Sequence, residues 1–453
     1  MAVSAFNSDV DGFLNKKTKN LLAMARSKIT AAAFGLLAFT ATAQNCAKFE
    51  PMAQLNVTDG YTANIIFNGM SMPRGIVFDT AGNLLVAEQG GAGIRHIVLT
   101  EDDDGNPCVV SSAQLIDDRT LNHGIALSQD GTTLFVSSMG DVHSFPYDAE
   151  AGTVGTRKTL ITGMRSGGHT TRTLLVPVTA PDTLLVSRGS DGNIDNTTVD
   201  TAAAKSIIKA FNITELLASP DVVDYAAGGE VLGWGLRNSV GLGEDPSTGG
   251  IWSVENSADD IHRSGVDIHN DNPAEELNYH GVLQDGVGSD PMSGRNYGYP
   301  ACFAAWQTAD IPAGAGAITV GSQFGGVAGT PYREVAGAEA VEEVDEFCRS
   351  QRQGPRLVFP AHTAPLDVRF RGDGAAANRS PPDGFRVGKI DFADGQPLAE
   401  VSDTDAVTYV VQNADTTQCP NGCFRPVGLA FDKKGRLFMT SDYTGELYVI
   451  GGV

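Results

Sequence analysis

The sequence predicts an all-β fold, a six-bladed β-propeller, from three observations. A short strand, an Asp/Gly or Gly-rich turn and a second strand recur six times, and four copies carry an Arg or His just upstream. The 453 residues include 53 Gly and 21 Pro with 42% apolar residues, a composition of many short strands joined by turns rather than of a helix bundle. The best anchors, Arg74, His123 and Arg172, stand 49 residues apart. A lone hairpin of this kind cannot bury its apolar face, so the stable solution is to stack copies around an axis.

The clearest copies are Pro73–Glu88, Asn122–Ser138 and Arg425–Asp442, and weaker ones are His169–Arg188, Arg237–Asn256 and Thr363–Asp373. Some 400 residues over six units leave roughly 65 each, room for four strands and a long loop. Loops such as 258–294 lengthen the later units. No linker or appended module is expected after the strand Glu446–Ile450.

Residues 1–43 are expected to be absent from the mature chain. Arg26 and Lys28, an apolar run from Ile29 to Phe39 and Ala41-Thr42-Ala43 form a secretory signal over 24–43, cleaved before Gln44. The run is too short for the roughly 20 residues of a spanning helix. Residues 1–23 read as an over-extended start upstream of a complete signal. The remaining 44–453 would be the propeller, with 27 basic and 52 acidic residues and a net charge of −25. Such a body repels nucleic acid and anionic membranes and is expected to be extracellular.

All six cysteines follow residue 43, an even number in an oxidising setting. Cys419–Cys423, Cys302–Cys348 and Cys46–Cys108 are the expected pairs among the 15 connectivities that six cysteines allow. Sequons at Asn56, Asn196 and Asn212 accord with a secreted glycoprotein. The acidic run Glu101–Asp104 lacks the rest of an EF-hand loop and reads as a solvated turn.

Loops that lead into the innermost strands of a propeller converge on its axis. Arg74, His123, His169, Arg237 with Asn238, His362 and Arg425 therefore share one face, an electropositive mouth on an acidic protein that suits an anionic cofactor. Arg74 and Arg425 read equally well as ties between neighbouring blades.

Several motifs are also familiar as a set. SGGHTTRTL (166–174), GLRNSVGL (235–242), ENSADD (255–260), AEELN (274–278) and NYGYP (296–300) resemble, in order and spacing, the soluble quinoprotein glucose/sorbosone dehydrogenases. PAHTAPLDVRF (360–370) and NRSPPDGFRV (378–387) resemble the fungal branch, the pyranose dehydrogenases that depend on pyrroloquinoline quinone (PQQ). The resemblance implies a PQQ- and Ca2+-dependent sugar dehydrogenase that oxidises the anomeric carbon of a pyranose to a lactone. His169 would be the general base and Arg237, with Asn238, would contact the cofactor and stabilise charge developing on the quinone. Glu275 would orient Arg237, and Arg379 in the fungal motif joins the cofactor-binding candidates. Ser257 and Ala258 fall where backbone carbonyls hold Ca2+. The turn here is Ser257-Ala258-Asp259-Asp260, so a side-chain oxygen of Asp259 or Asp260 is a further candidate ligand.

Electrons would pass to a separate acceptor, a cytochrome or a copper-dependent polysaccharide monooxygenase, because the sequence shows no haem or carbohydrate-binding module. Trp234, Tyr297, Tyr299 and Trp306 stand either in packing or around the sugar. Two rival readings are a Ca2+-dependent propeller lactonase, which uses Glu, Asn and Asp ligands, and a non-catalytic extracellular binding propeller.

Overall fold

A computed structural model describes residues 46–283, 286–312, 318–326, 341–371, 375–378 and 384–452. All of these belong to one compact unit, Gln44–Val453. The expected signal segment and Arg379 lie outside the described residues.

The described strands build six blades. Blade 1 is Pro73–Phe78, Leu84–Glu88, Gly93–Glu101 and Pro107–Ile116; blade 2 is Leu121–Leu127, Thr133–Ser138, Val142–Asp148 and Lys158–Thr162. Blade 3 is Leu174–Leu175, Thr183–Arg188, Ile207–Asn212 and Glu230–Trp234; blade 4 is Ser239–Glu244, Gly250–Glu255, Glu275–Val282 and Leu357–Phe359. Blade 5 is Pro365–Arg369, Ala375–Asn378, Arg386–Ile390 and Val407–Asn413; blade 6 opens with Pro426–Phe431, Leu437–Ser441 and Glu446–Gly451. Each of the six expected copies falls at the inner strands of one blade. The segment before the first copy closes the ring: Thr62–Phe67 is the outer strand of blade 6, and Leu55–Val57 adds to the edge of blade 5. Pairing these strands across the chain ends removes edges that would otherwise stay open.

Middle strands of a blade are apolar on both faces because each face meets a neighbour. Leu84 and Val86 pack with Phe438 and Leu447 of blade 6, whereas Leu85 and Ala87 pack with Leu134 and Val136 of blade 2. The alternation follows directly from the two-residue period of a strand. Similar clusters fill the joints of blades 2 and 3 (Phe135, Leu184), 3 and 4 (Leu185, Ile251), 4 and 5 (Trp252, Val368) and 5 and 6 (Val411, Met439).

The first strands of the six blades touch one another in a closed ring. They approach so closely that a Cβ on Gly75 would lie 2.5 Å from His123 O, on Gly124 2.1 Å from Arg172 O, and on Gly428 2.2 Å from Arg74 O. Where the equivalent residue has a side chain, it bonds its neighbour: Thr173 Oγ1 donates to Val240 O, and Asp367 Oδ2 accepts from Leu429 N at 2.9 Å.

An insertion accompanies blade 4. It contains the hairpin Cys302–Ala304 with Gln323–Gly325 and the helix Val341–Gln351, joined by Cys302–Cys348. Arg263 and Asp345, both buried, make a two-point pair at 2.6 Å that ties the segment after Asp260 to this helix. Cys46–Cys108 and Cys419–Cys423 also pair as expected. The run at Glu101 is a turn: Asp102 Oδ1 accepts from Asp104 N and Asn106 N, and Glu101 pairs with Lys434 and Arg436.

Because the ring has no room for a Cβ at Gly428, Gly428→Ala is expected to lose about 1–3 kcal/mol of stability. The denaturant midpoint should fall accordingly, and an unchanged midpoint would show that the ring relaxes freely.

Candidate active site

Residues just upstream of the first strands form a chain of polar contacts around one mouth of the ring. On blades 6 and 1, Asp442 accepts from Arg425 Nε at 2.7 Å and from Arg74 at 3.0 Å, and Arg74 Nε donates to His123 Nδ1 at 3.3 Å. Arg74 and Arg425 thus share one buried carboxylate, through which Arg74 ties blade 1 to blade 6. Asn122 Nδ2 continues the path to Thr170 O at 2.8 Å.

His169 lies on the loop before blade 3. Its Nδ1 is 3.0 Å from both Ser190 Oγ and Ser190 O, which fixes the ring. No described residue bonds its Nε2. Burial, then repulsion from Arg237, pushes the imidazole down to about 4, so it is neutral at ordinary pH. Nearby Arg172 is fully buried and donates to the carbonyls of His169, Thr171 and Met164, which shapes the loop.

Arg237 is buried at the start of blade 4. Its Nε donates to Asn193 O at 3.0 Å and its head to Asn193 Oδ1, Asn256 O and Asp259 Oδ2 at 3.1, 3.2 and 3.4 Å. Asn238 follows, its N–H on Glu255 at 2.7 Å and its Nδ2 on Asn256 Oδ1 at 3.2 Å. His362 has a left-handed φ of 64° and bonds Asp259 Oδ1 at 3.2 Å and His269 O at 2.5 Å. The Asp259 hydrogen bond raises it to about 9, so it is a cation where His169 is neutral.

The Ser257–Asp260 turn stands between these groups. Both carboxylate oxygens of Asp259 are engaged by Arg237 and His362, and Asp260 is exposed with a φ of 52°. Among the described residues no donor reaches Ser257 O or Ala258 O. These two carbonyls are therefore open hard-oxygen donors of the turn, a donor type that fits Ca2+, and the exposed Asp260 carboxylate, which no described donor engages, is another. One expectation needs correction. Glu275 accepts from Ser257 N at 2.5 Å and Ala364 N at 3.2 Å rather than from Arg237, so it anchors the turn itself. Tyr297 and Tyr299 are buried with their hydroxyls on Tyr279 O and Asn193 O, and Trp234 and Trp306 pack against core clusters.

Ser190, Asn193 and Asp442 escaped the sequence reading. For Asp442 there was a signal: Glu88, Glu255 and Asp442 all close, or directly follow, the second strand of a copy.

A family model described as TrAA12-like matches residues 55–453. The chain belongs to that family. It is 43% identical over 431 residues to the PQQ-dependent sugar dehydrogenase of Hypocrea jecorina (strain QM6a), covering 92% of this chain and 95% of that protein. It is 34% identical to the PQQ-dependent pyranose dehydrogenase of Coprinopsis cinerea over 88% of this chain and 55% of that protein. Among solved structures, the calcium structure of a Trichoderma reesei carbohydrate-active enzyme of family AA12 superposes with a TM-score of 0.83 at 41% identity, covering 90% of this chain and 99% of that one. The holo form of the Coprinopsis cinerea pyranose dehydrogenase PQQ domain gives 0.79 at 33% identity, covering 89% and 99%.

Behind the TrAA12-like site, burial raises Glu255 to about 8 and Glu275 and Glu276 to about 7. In the unfolded chain these groups ionise near 4.5. Between that value and about 8 unfolding releases their protons, so their stabilising contribution is complete below 4.5 and is lost as pH rises through 7 to 8. Denaturant midpoints measured across this window without added cofactor should fall less steeply in Glu276→Gln than in the wild type. Parallel profiles would show that Glu276 ionises normally in the fold.

Proposed function

We propose that the chain is a secreted dehydrogenase that uses PQQ and Ca2+ to oxidise the anomeric carbon of a pyranose to its lactone, and that electrons leave to an external acceptor. The observation that carries this reading is a neutral histidine whose Nε2 no described residue bonds, beside a buried arginine and a turn with two carbonyls that no described donor reaches. The named relatives support the cofactor and the sugar.

Arg237 and Asn238, with His362 across the turn, would hold the anionic cofactor, and Ser257 O and Ala258 O would hold the metal. Arg74 and Arg425 add positive charge on the opposite side of the mouth, although Asp442 already holds both arginines, and His123 stands beside Arg74 as its hydrogen-bond acceptor. The chemistry that PQQ with Ca2+ supplies when bound is acceptance of the hydride from the anomeric carbon. His169 Nε2 takes the proton of the anomeric hydroxyl while Ser190 keeps Nδ1 in place, so the O–H and C–H electron pairs become the new C=O bond and the departing hydride. An anion seated against Arg237 offsets the charge that depresses His169 and so strengthens the base.

A lactonase would need free carboxylates around its metal. The mouth's Asp259 and Asp442 are instead each shared by two basic side chains. A cytochrome or a copper-dependent polysaccharide monooxygenase remains the proposed class of acceptor, and neither nucleic acid nor membrane is proposed as a partner. No described helix is long and apolar enough to cross a membrane.

His169→Asn is expected to bind PQQ with near-normal affinity while kcat falls roughly 10²- to 10⁴-fold. Arg237→Ala should weaken PQQ binding as well as turnover. Titrating each variant with PQQ before assaying sugar oxidation separates the roles, and wild-type turnover in His169→Asn would move the base elsewhere. Chelation should abolish activity, and Ca2+ with PQQ should restore it; full activity after verified metal removal would refute the metal's role. Secreted material is expected to begin at or near Gln44 on N-terminal sequencing, whereas a start at Met1 would exclude the signal.

A further inference from the structure

The loop between the second and third strands of blade 3 supplies one residue that touches both halves of the site. Asn193 Oδ1 accepts from Asp259 N at 2.8 Å and from Arg237 at 3.1 Å. Its Nδ2 donates to Asp259 O at 2.6 Å. One carboxamide therefore engages both backbone hydrogen-bonding groups of Asp259 and shares its oxygen with the guanidinium. The main-chain oxygen of Asn193 accepts from Arg237 Nε and Tyr299 Oη, each at 3.0 Å.

The loop itself is braced. Asp195 Oδ2 accepts from Asp191 N at 3.1 Å, Tyr299 Oη accepts from Asp195 N at 2.7 Å, and Lys205 pairs with Asp191 at 2.6 Å and Asp195 at 3.4 Å. Ser190, three residues before Asn193, holds His169. A displacement of Asn193 must therefore strain several contacts.

Among substitutions at this place, few preserve the arrangement. Aspartate keeps the acceptor for Asp259 N and Arg237 but has no donor for Asp259 O, and would set a carboxylate against that carbonyl. Alanine removes every side-chain contact and leaves Arg237 only the main-chain oxygen at this position, besides Asn256 O and Asp259 Oδ2.

We propose that Asn193 is a positioning residue that couples the metal turn to Arg237: by clamping the Asp259 backbone it sets the direction of the preceding Ser257 and Ala258 carbonyls, and through the same oxygen it sets the guanidinium. This rests on the reading that Ca2+ binds at Ser257 and Ala258. Groups that orient metal ligands typically change metal affinity 10- to 100-fold when removed.

The test is Ca2+ titration of the purified chain by calorimetry without PQQ, followed by PQQ titration at saturating Ca2+ and steady-state sugar oxidation. Asn193→Ala should bind Ca2+ about 10-fold or more weakly. At saturating Ca2+ and PQQ it should lower kcat with little change in KM for the sugar, because Arg237 is displaced while the sugar's own contacts remain. Asn193→Asp, close in size, should lie between it and the wild type, and it carries the test should the alanine variant fail to fold. A folded variant that binds Ca2+ and PQQ and turns over like the wild type overturns the proposal. A wild-type chain that takes up neither Ca2+ nor PQQ overturns the functional reading instead, a result that the wild-type titrations alone reveal.

Discussion

The close approach of the six innermost strands is the constraint on which the remaining structure depends. Backbone meets backbone at Gly75, Gly124 and Gly428, where a side-chain carbon would lie 2.1–2.5 Å from a neighbouring carbonyl oxygen. With the strands this near, the residues just before them have no course but to gather at one mouth. Arg74 therefore reaches both Asp442 of blade 6 and His123 of blade 2. Blades are then free to differ outward, and blade 4 carries its large insertion without disturbing the ring.

Charge at the mouth follows from that convergence. Arg74 and Arg425 share Asp442, and Arg237 and His362 share Asp259. In each group two basic side chains meet one carboxylate, and burial makes an excess of charge costly unless a partner completes it. A chain of net charge −22 at pH 7 thus concentrates basic groups at the one place where an anionic cofactor would be held. The interior behind this site has the reverse character, with Glu255, Glu275 and Glu276 buried and raised towards neutrality. Protonated, they can sit near the site without cancelling its field.

What was legible in the sequence was mostly local. The hairpins, their glycines and the upstream Arg or His lie within a few residues of each other, and burial of both blade faces leaves an apolar signature in strands such as Leu84–Glu88. His169 and Arg237 stood out for the same reason. Strand pairings between distant segments were not legible: Leu55 pairs with Asn413 and Thr62 with Gly451, and nothing near either residue announces its partner. Glu275 shows the same limit. Its place was evident from AEELN, but whether it served Arg237 or the turn depended on the path of Ser257 and Ala364. Asn193 sits in a Gly- and Asp-rich loop whose composition marks only a turn, and its role arises because the loop reaches blade 4.

The two histidines flanking Arg237 show how one side chain acquires opposite roles. His362 hydrogen-bonds Asp259 and is held as a cation, whereas the His169 ring bonds only Ser190 and is kept neutral by burial and then by the nearby Arg237. Their identity in the sequence is the same, so their surroundings divide them: burial and Arg237 at one ring, the Asp259 carboxylate at the other. Since Asp259 also touches Arg237, any shift of that carboxylate alters the cation, the arginine and the base together. The clamp that Asn193 places on the Asp259 backbone thus protects more than the geometry of a turn. It holds constant the electrostatic difference by which one histidine is free to accept a proton and the other is not.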